Sequence, residues 1–171
     1  MSSTAATLQL AAILLGAPDE ESLTTLDELA LEHGWLRPAV DELRQIPLQR
    51  WQAEHTRLFI NGYPKTPCGP FASIHRHGLM QGAVLDELTR FYADAGVEPD
   101  NQLPADYLGT ILAFAALLLE RGTSEAGAQL QQLRERHLIS WLPQYCERLQ
   151  QHTQLRLYRD LSIQLQQWIA A

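Results

Sequence analysis

Residues 105–121, which read ADYLGTILAFAALLLER, form the most apolar stretch of the chain. Its large apolar side chains recur three and four residues apart, the spacing that brings side chains to one face of an α-helix. They also spread around most of the helix, and a helix of that kind usually lies at the centre of a bundle. The stretch therefore predicts a central, buried helix that is surrounded by other helices.

Apolar residues also occur at helical spacing on both sides of this stretch. Gly and Pro residues separate these segments, and no internal repeat or interdomain linker interrupts them. The segments lie near residues 8–15, 23–30, 38–43, 51–59, 77–92, 124–137 and 157–169. We therefore predict an all-α fold, a single-domain helical bundle that spans residues 1–171.

The segment 61–73 breaks the helical pattern with three prolines and two glycines, which predicts a structured loop. Three aromatic residues lie in it or beside it: Phe59, Tyr63 and Phe71. Aromatic side chains next to carboxylates make an apolar cleft that suits a basic peptide. Phe59 and Phe71 are equally compatible with the hydrophobic core, so the pattern leaves a peptide groove and a core role open.

The formal net charge is -7, and Lys65 is the only lysine. Nucleic acid requires Lys and Arg for its phosphates, so we predict no nucleic-acid partner, whereas a basic peptide would be attracted. The two cysteines, Cys68 and Cys146, are typical of a reducing compartment. The apolar run 8–15 is too short to span a bilayer and no basic residue precedes it. We expect a cytoplasmic protein without stable membrane insertion.

Possible catalytic and metal-binding groups are few. Cys68, His75 and His77 lie close together in the sequence, and all three are residue types that bind zinc. Their spacing matches no recognised zinc motif, and the chain has neither a nucleophile elbow nor a phosphate-binding loop. We therefore predict no catalytic residue, no metal and no cofactor. The alternative hypothesis is a small helical metal-binding protein or enzyme that uses these three residues.

Asp106 stands near the start of the apolar helix, just after Pro104. A carboxylate there is stabilised by the positive end of the helix dipole, and that role alone explains it. The functional interpretation is that Asp106 pairs with an arginine of a bound peptide. The sequence does not decide between these two roles.

Four segments of the chain occur in the order of a known family. Residues 54–59 (EHTRLF) resemble a Glu-aromatic-x-x-Leu-Phe motif, and residues 67–74 (PCGPFASI) a Pro-x-Pro-Pro-Tyr-x-Ser-Val loop. Residues 104–109 (PADYLG) resemble a Pro-x-Asp-His-Leu/Ile-Gly motif, and residues 137–143 (HLISWLP) a His-Leu-x-x-Trp-x-Pro motif. The chain thus resembles the TorD, DmsD and NarJ family of maturation chaperones for molybdenum redox enzymes.

This resemblance implies a TorD-like fold and a binding function without a chemical step. The expected partner is the apo form of a molybdenum-cofactor oxidoreductase, its twin-arginine leader peptide, or both. The chaperone would assist cofactor insertion and proofread the enzyme before export. The resemblance does not identify the client, and it leaves both a monomer and a dimer open.

By motif match, the resemblance assigns seven residues to peptide binding. Asp106 is the expected partner of a leader arginine, the aromatic residues receive the apolar run, and Glu54 supports the site. The full set is Glu54, Leu58, Phe59, Phe71, Ser73, Asp106 and Tyr107. Gly69, Phe71, His75 and Tyr107 replace a proline, two tyrosines and a histidine of the family pattern, which points to a different client or to a branch without a leader-peptide role.

Overall fold

The protein is an all-α bundle in a computed structural model that describes residues 3–78, 82–98 and 102–171. These ranges contain ten α-helices and no strand, and their only β-type pairing is an isolated bridge between Phe71 and Tyr107. The helices are α1 (Ser3–Leu14), α2 (Ser22–Leu29), α3 (Arg37–Leu43), α4 (Leu48–His55), α5 (Ala72–His77), α6 (Gly82–Asp94), α7 (Leu108–Arg121), α8 (Ser124–Leu133), α9 (Leu142–His152) and α10 (Arg156–Ala170). The predicted all-α fold is confirmed.

Helix α7 lies in the centre of the bundle, as its composition predicts. Its side chains are buried on most faces, and it packs along its length against α1 and then against α8. The helix begins at Leu108, three residues later than the apolar stretch, because Tyr107 has an extended backbone and Leu108 N donates to Pro70 O over 2.8 Å. Gly122, with φ of 61°, ends it.

Helix α10 forms a second wall of the core. One stripe of the helix is buried against α9, α1 and α3, as its apolar spacing predicts: Leu157, Tyr158, Leu161, Leu165, Trp168 and Ile169. The Trp51 indole of α4 donates to the Tyr158 hydroxyl over 3.0 Å. This buried hydrogen bond fixes α4 against the stripe and satisfies both polar groups.

Helix α4 continues through a π-helical turn, Thr56–Ile60, into the proline-rich loop. Cys68 N donates to Leu58 O over 2.9 Å, so the loop folds back onto the turn. Gly62 makes this return possible, because a Cβ there would lie 2.6 Å from Arg57 O and 2.7 Å from Pro67 Cδ. The predicted structured loop is thus held by backbone contacts.

Helix α5 begins at Ala72, before the position near residue 77 where the sequence pattern predicts that helix resumes. It ends at Gly78, whose φ is 75°, and α6 follows as a separate helix. Residues 79–81, which the pattern assigns to one continuous helix, lie outside the described residues. None of the helices in the described ranges has the length and apolar character needed to cross a bilayer.

Candidate functional site

Asp106 and Ser73 form the contact that joins the two loops of the family-like motifs. Asp106 Oδ2 accepts hydrogen bonds from Ser73 Oγ at 2.5 Å and from Ser73 N at 3.2 Å. Asp106 O accepts a third from Ala72 N at 2.9 Å. Asp106 therefore satisfies two of the free backbone N–H groups at the start of α5, a capping role supplied from a distant loop. Both side chains are fully buried.

The second oxygen of the same carboxylate is unused. Asp106 Oδ1 is buried and has no hydrogen-bond partner among the residues of the three described ranges. A buried carboxylate oxygen without a donor costs free energy, so such atoms are rare in folded proteins. Asp106 therefore offers one spare acceptor, but in this conformation the surrounding loops cover it.

Phe71 and Tyr107 lie between this buried contact and the surface. They form the isolated antiparallel bridge, and their half-buried rings stand 5.7 Å apart between centroids at 49°. Leu108 N donates to Pro70 O over 2.8 Å beside them. Of the seven residues assigned by the family motifs, these two present ring surface to the outside.

Leu58 and Phe59 lie in the hydrophobic core, with 0% and 2% of their surfaces exposed. The Phe59 ring packs edge-on against His55 and Tyr158, with centroid distances of 5.2 and 5.1 Å. His55 Nε2 donates to Leu15 O over 2.9 Å. This pair therefore supports the wall formed by α4 and α10, and in this conformation it is not on the surface.

Glu54 is 6% exposed and connects α4 to the turn between α9 and α10. Its carboxylate accepts two hydrogen bonds from Arg57, at 2.8 and 3.0 Å, and one from Gln154 N at 2.6 Å. Thr153 Oγ1 donates to it over 3.3 Å. Both carboxylate oxygens have partners within the chain, so Glu54 holds the turn in place.

An apolar groove that the sequence interpretation missed runs along the first half of α7. Its volume is about 410 Å³. Ile13 of α1 and Leu103 of the loop before α7 stand at its edges, with 62% and 51% of their surfaces exposed. The lining comprises Ala12, Ile13, Tyr92, Val97, Leu103, Tyr107, Gly109, Thr110, Ala113, Phe114 and Leu117. Large exposed apolar side chains that share a concave surface indicate a binding site for an apolar partner.

The described lining of the groove carries no charged side chain, neither acidic nor basic. Exposed Glu98 follows the lining residue Val97 directly. Exposed Glu120 and Arg121 lie about one helical turn beyond the lining residue Leu117. The groove therefore suits an apolar segment.

One sequence signal for this groove exists in α1. The helix is apolar on nearly all faces, so the core cannot bury every large side chain on it, and Ile13 remains outside. Val97 and Leu103 belong to a connecting segment without helical period, where no pattern indicates a shared surface. Their convergence with Tyr107 on the groove depends on the packing of α6 against α7.

Cys68, His75 and His77 do not come together as a metal site. Cys68 is fully buried, and burial raises the pKa of its thiol to about 11. His75 Nε2 donates to Gly69 O over 2.7 Å, and its ring stacks on Trp141 with a centroid distance of 4.9 Å. Across the described ranges, no group of three His, Cys, Asp or Glu side chains is arranged to hold a metal ion.

The fold and these motifs define a family of helical chaperones. The model of the nitrate reductase delta subunit family matches residues 14–147. The chain therefore belongs to this family, which comprises the NarJ-type and TorD-type maturation chaperones.

Individual relatives agree with this assignment. The chaperone TorD of Vibrio parahaemolyticus is 29% identical over 153 residues, which cover 77% of this chain and 70% of TorD. The selenate reductase assembly chaperone of Thauera selenatis is 29% identical over 70% of this chain and 64% of its own. The Escherichia coli chaperone YcdY is 26% identical over 64% of this chain and 56% of its own.

A solved structure shows the same fold. The crystal structure of a candidate redox enzyme maturation protein from Archaeoglobus fulgidus superposes with a TM-score of 0.75. The comparison covers 100% of this chain and 96% of the other. At 21% identity this similarity concerns the fold, and it confirms the TorD-like architecture that the motifs imply.

Proposed function

We propose that the protein is a cytoplasmic chaperone for a molybdopterin redox enzyme. It binds the apoenzyme, its twin-arginine leader peptide, or both, assists cofactor insertion and proofreads the enzyme before export. The observation that carries this proposal is the exposed apolar groove along α7, whose described lining carries no charged side chain. Membership of a family of maturation chaperones supports the same role.

A twin-arginine leader matches this surface in two respects. Its apolar run buries the exposed surfaces of Ile13 and Leu103, and burial of apolar surface is the main favourable term in such association. Its arginines are attracted by a chain of net charge -7, and Glu98 and Glu120 flank the groove. Tyr107 lines the groove and provides aromatic surface to the bound peptide, and Phe71 packs against the Tyr107 ring.

Within this proposal the seven motif residues have different roles. Asp106 Oδ1 accepts a hydrogen bond from a leader arginine when the contact between Phe71 and Tyr107 opens, since the oxygen is otherwise covered. Ser73 holds the other carboxylate oxygen in place. The remaining three residues, Leu58, Phe59 and Glu54, support the site from inside the bundle.

The test is affinity capture of the tagged protein from the cytoplasm of its own host, grown in limiting oxygen, with mass spectrometry of the bound proteins. We expect enrichment of one molybdoenzyme catalytic subunit that still carries its leader. Recovery of no such subunit, with the enzyme shown to be present in the same lysate, would disprove the proposed function. The same capture is made with the Ile13→Asp variant, which disrupts the groove edge and should capture less of the subunit.

A further inference from the structure

The Tyr107 ring lies directly on the first turn of α7, over Gly109. A Cβ atom at Gly109 would stand 2.4 Å from Tyr107 Cε1, 3.0 Å from Cδ1 and 3.2 Å from Cζ. Carbon atoms in contact are usually about 3.5–4.0 Å apart, so a methyl group at position 109 and the ring cannot occupy these places together. The absence of a side chain at Gly109 is therefore a condition for the observed position of the ring.

Both residues line the groove, and the ring position determines its shape. The floor is the α7 stripe Gly109, Ala113 and Leu117, which is small at the Tyr107 end and larger at the other end. Phe71 packs beside the Tyr107 ring, with a centroid distance of 5.7 Å. The groove is the open space beside the ring, so a ring displaced from the helix would occupy the end of the groove formed by Gly109 and Tyr107.

We infer that Gly109 is a positioning residue that sets, through the Tyr107 ring, the size of the apolar side chain that the groove admits. This inference rests on the proposed function, because it concerns the selectivity of the same groove for its peptide. With the ring on the helix, the end of the groove at Gly109 admits a branched side chain such as leucine. With the ring displaced, that end is occupied and only small side chains fit.

The test compares two synthetic peptides that begin with the same two arginines. One continues with a run of leucine and the other with a run of alanine. We expect the wild-type protein to prefer the leucine peptide, and Gly109→Ala to reduce that preference about tenfold, since overfilling a packed space costs on the order of one factor of ten in affinity. Calorimetric titration of both peptides measures the ratio of the two affinities. A uniform loss of folded protein would not change this ratio.

A double variant separates ring displacement from general damage to the fold. Tyr107→Leu removes the ring atoms that the new methyl group would meet, so Gly109→Ala combined with Tyr107→Leu should restore the leucine preference to within about threefold of wild type. Gly127→Ala is the matched control. That glycine also lies inside a helix but has no neighbouring atom within 4 Å of its Cβ position, and the substitution should leave the ratio unchanged.

A second probe distinguishes failure of this inference from failure of the proposed function. The neutral apolar dye Nile red fills an apolar groove whether or not a peptide is the natural partner. We expect Gly109→Ala to weaken dye binding and the double variant to recover it. Wild-type protein that binds the dye and neither peptide would disprove the leader-peptide part of the proposed function, and the effect of Gly109→Ala on dye binding would still test the inference. Unchanged dye binding and an unchanged peptide ratio in Gly109→Ala would overturn the inference.

Discussion

The carboxylate of Asp106 caps the first turn of α5 through Ser73, a residue 33 positions away in the chain. Both side chains have 0% exposed surface, so the two loops of the candidate site meet in the interior of the protein and not at its surface. This contact gives Asp106 a structural role that a helix-start acid does not have. Its Oδ1 atom has no hydrogen-bond partner among the residues that the structure describes, so this oxygen is the one available to a bound peptide.

We predict that Asp106→Asn lowers both stability and peptide affinity. The amide oxygen can take the place of Oδ2 and accept both hydrogen bonds from Ser73, but these lose the strength that a charged acceptor gives. The buried NH2 group then stands at the position of Oδ1 without an acceptor, which costs about 1–3 kcal/mol of the free energy of unfolding. Affinity for a twin-arginine peptide should fall more than about twofold, because a neutral group replaces the acceptor for arginine.

Urea unfolding and peptide titration measure these two effects of Asp106→Asn separately. Asp86→Asn, at an exposed aspartate of α6, is the control for the loss of one negative charge. Unchanged stability would show that the capping contact is weak. Unchanged affinity would remove Asp106 from the binding site.

We predict that Ile13→Asp weakens binding of a leader peptide about tenfold, because the bound peptide would bury a carboxylate against apolar surface. Ile13 is 62% exposed at the groove edge, so the folded chaperone should tolerate the change. Ile139→Asp is the matched control, at an isoleucine that is 56% exposed and away from the groove. Equal affinities of the two variants would show that the peptide does not use the groove.

We predict that Glu54→Gln destabilises the fold by about 1–3 kcal/mol, since the contact with the Arg57 guanidinium and the hydrogen bond from Gln154 N depend on this buried carboxylate. Glu42→Gln is the comparison, because the half-buried Glu42 accepts a similar but exposed backbone hydrogen bond from Arg156 N at 2.7 Å. Exposed interactions of this kind contribute about 0–1 kcal/mol. Chemical unfolding measures how much free energy of unfolding each variant loses. Equal losses in the two variants would mean that the burial of Glu54 has no energetic effect.

We predict that stability falls as the pH decreases below about 6.5, the ordinary pKa of histidine. Burial lowers the pKa of His55, His75 and His137 in the folded chain. Below the histidine pKa of the unfolded chain, the unfolded state binds more protons than the folded state. The free energy of unfolding therefore keeps its full value above this pH and decreases below it.

Urea titrations at neutral and mildly acidic pH measure this dependence. His55→Gln removes one of the three groups while an amide can still donate to Leu15 O, so the pH dependence should become shallower. A stability that is constant from neutral pH to below the ordinary histidine pKa would contradict the prediction. His77, an exposed histidine of α5, provides the control substitution His77→Gln.

Local sequence features predict most of the helices because their signals act over a few residues. The apolar face of α10, the proline in the first turn of α3 and the glycine that ends α7 each specify an element without reference to the rest of the chain. The motif order similarly predicts the family, since it depends on residue identity alone. The start of α5 escapes prediction because Asp106, from another loop, supplies its cap.

The sequence by itself determined the all-helical class, the central position of α7 and the acidic character of the surface, because periodicity and charge are sums over local residues. Only the tertiary structure decided which side chains share a surface. Packing placed Leu58 and Phe59 in the core, covered Asp106, and brought Ile13, Leu103 and Tyr107 to one groove. These residues lie on three segments far apart in the chain, and their proximity follows from how whole helices fit together.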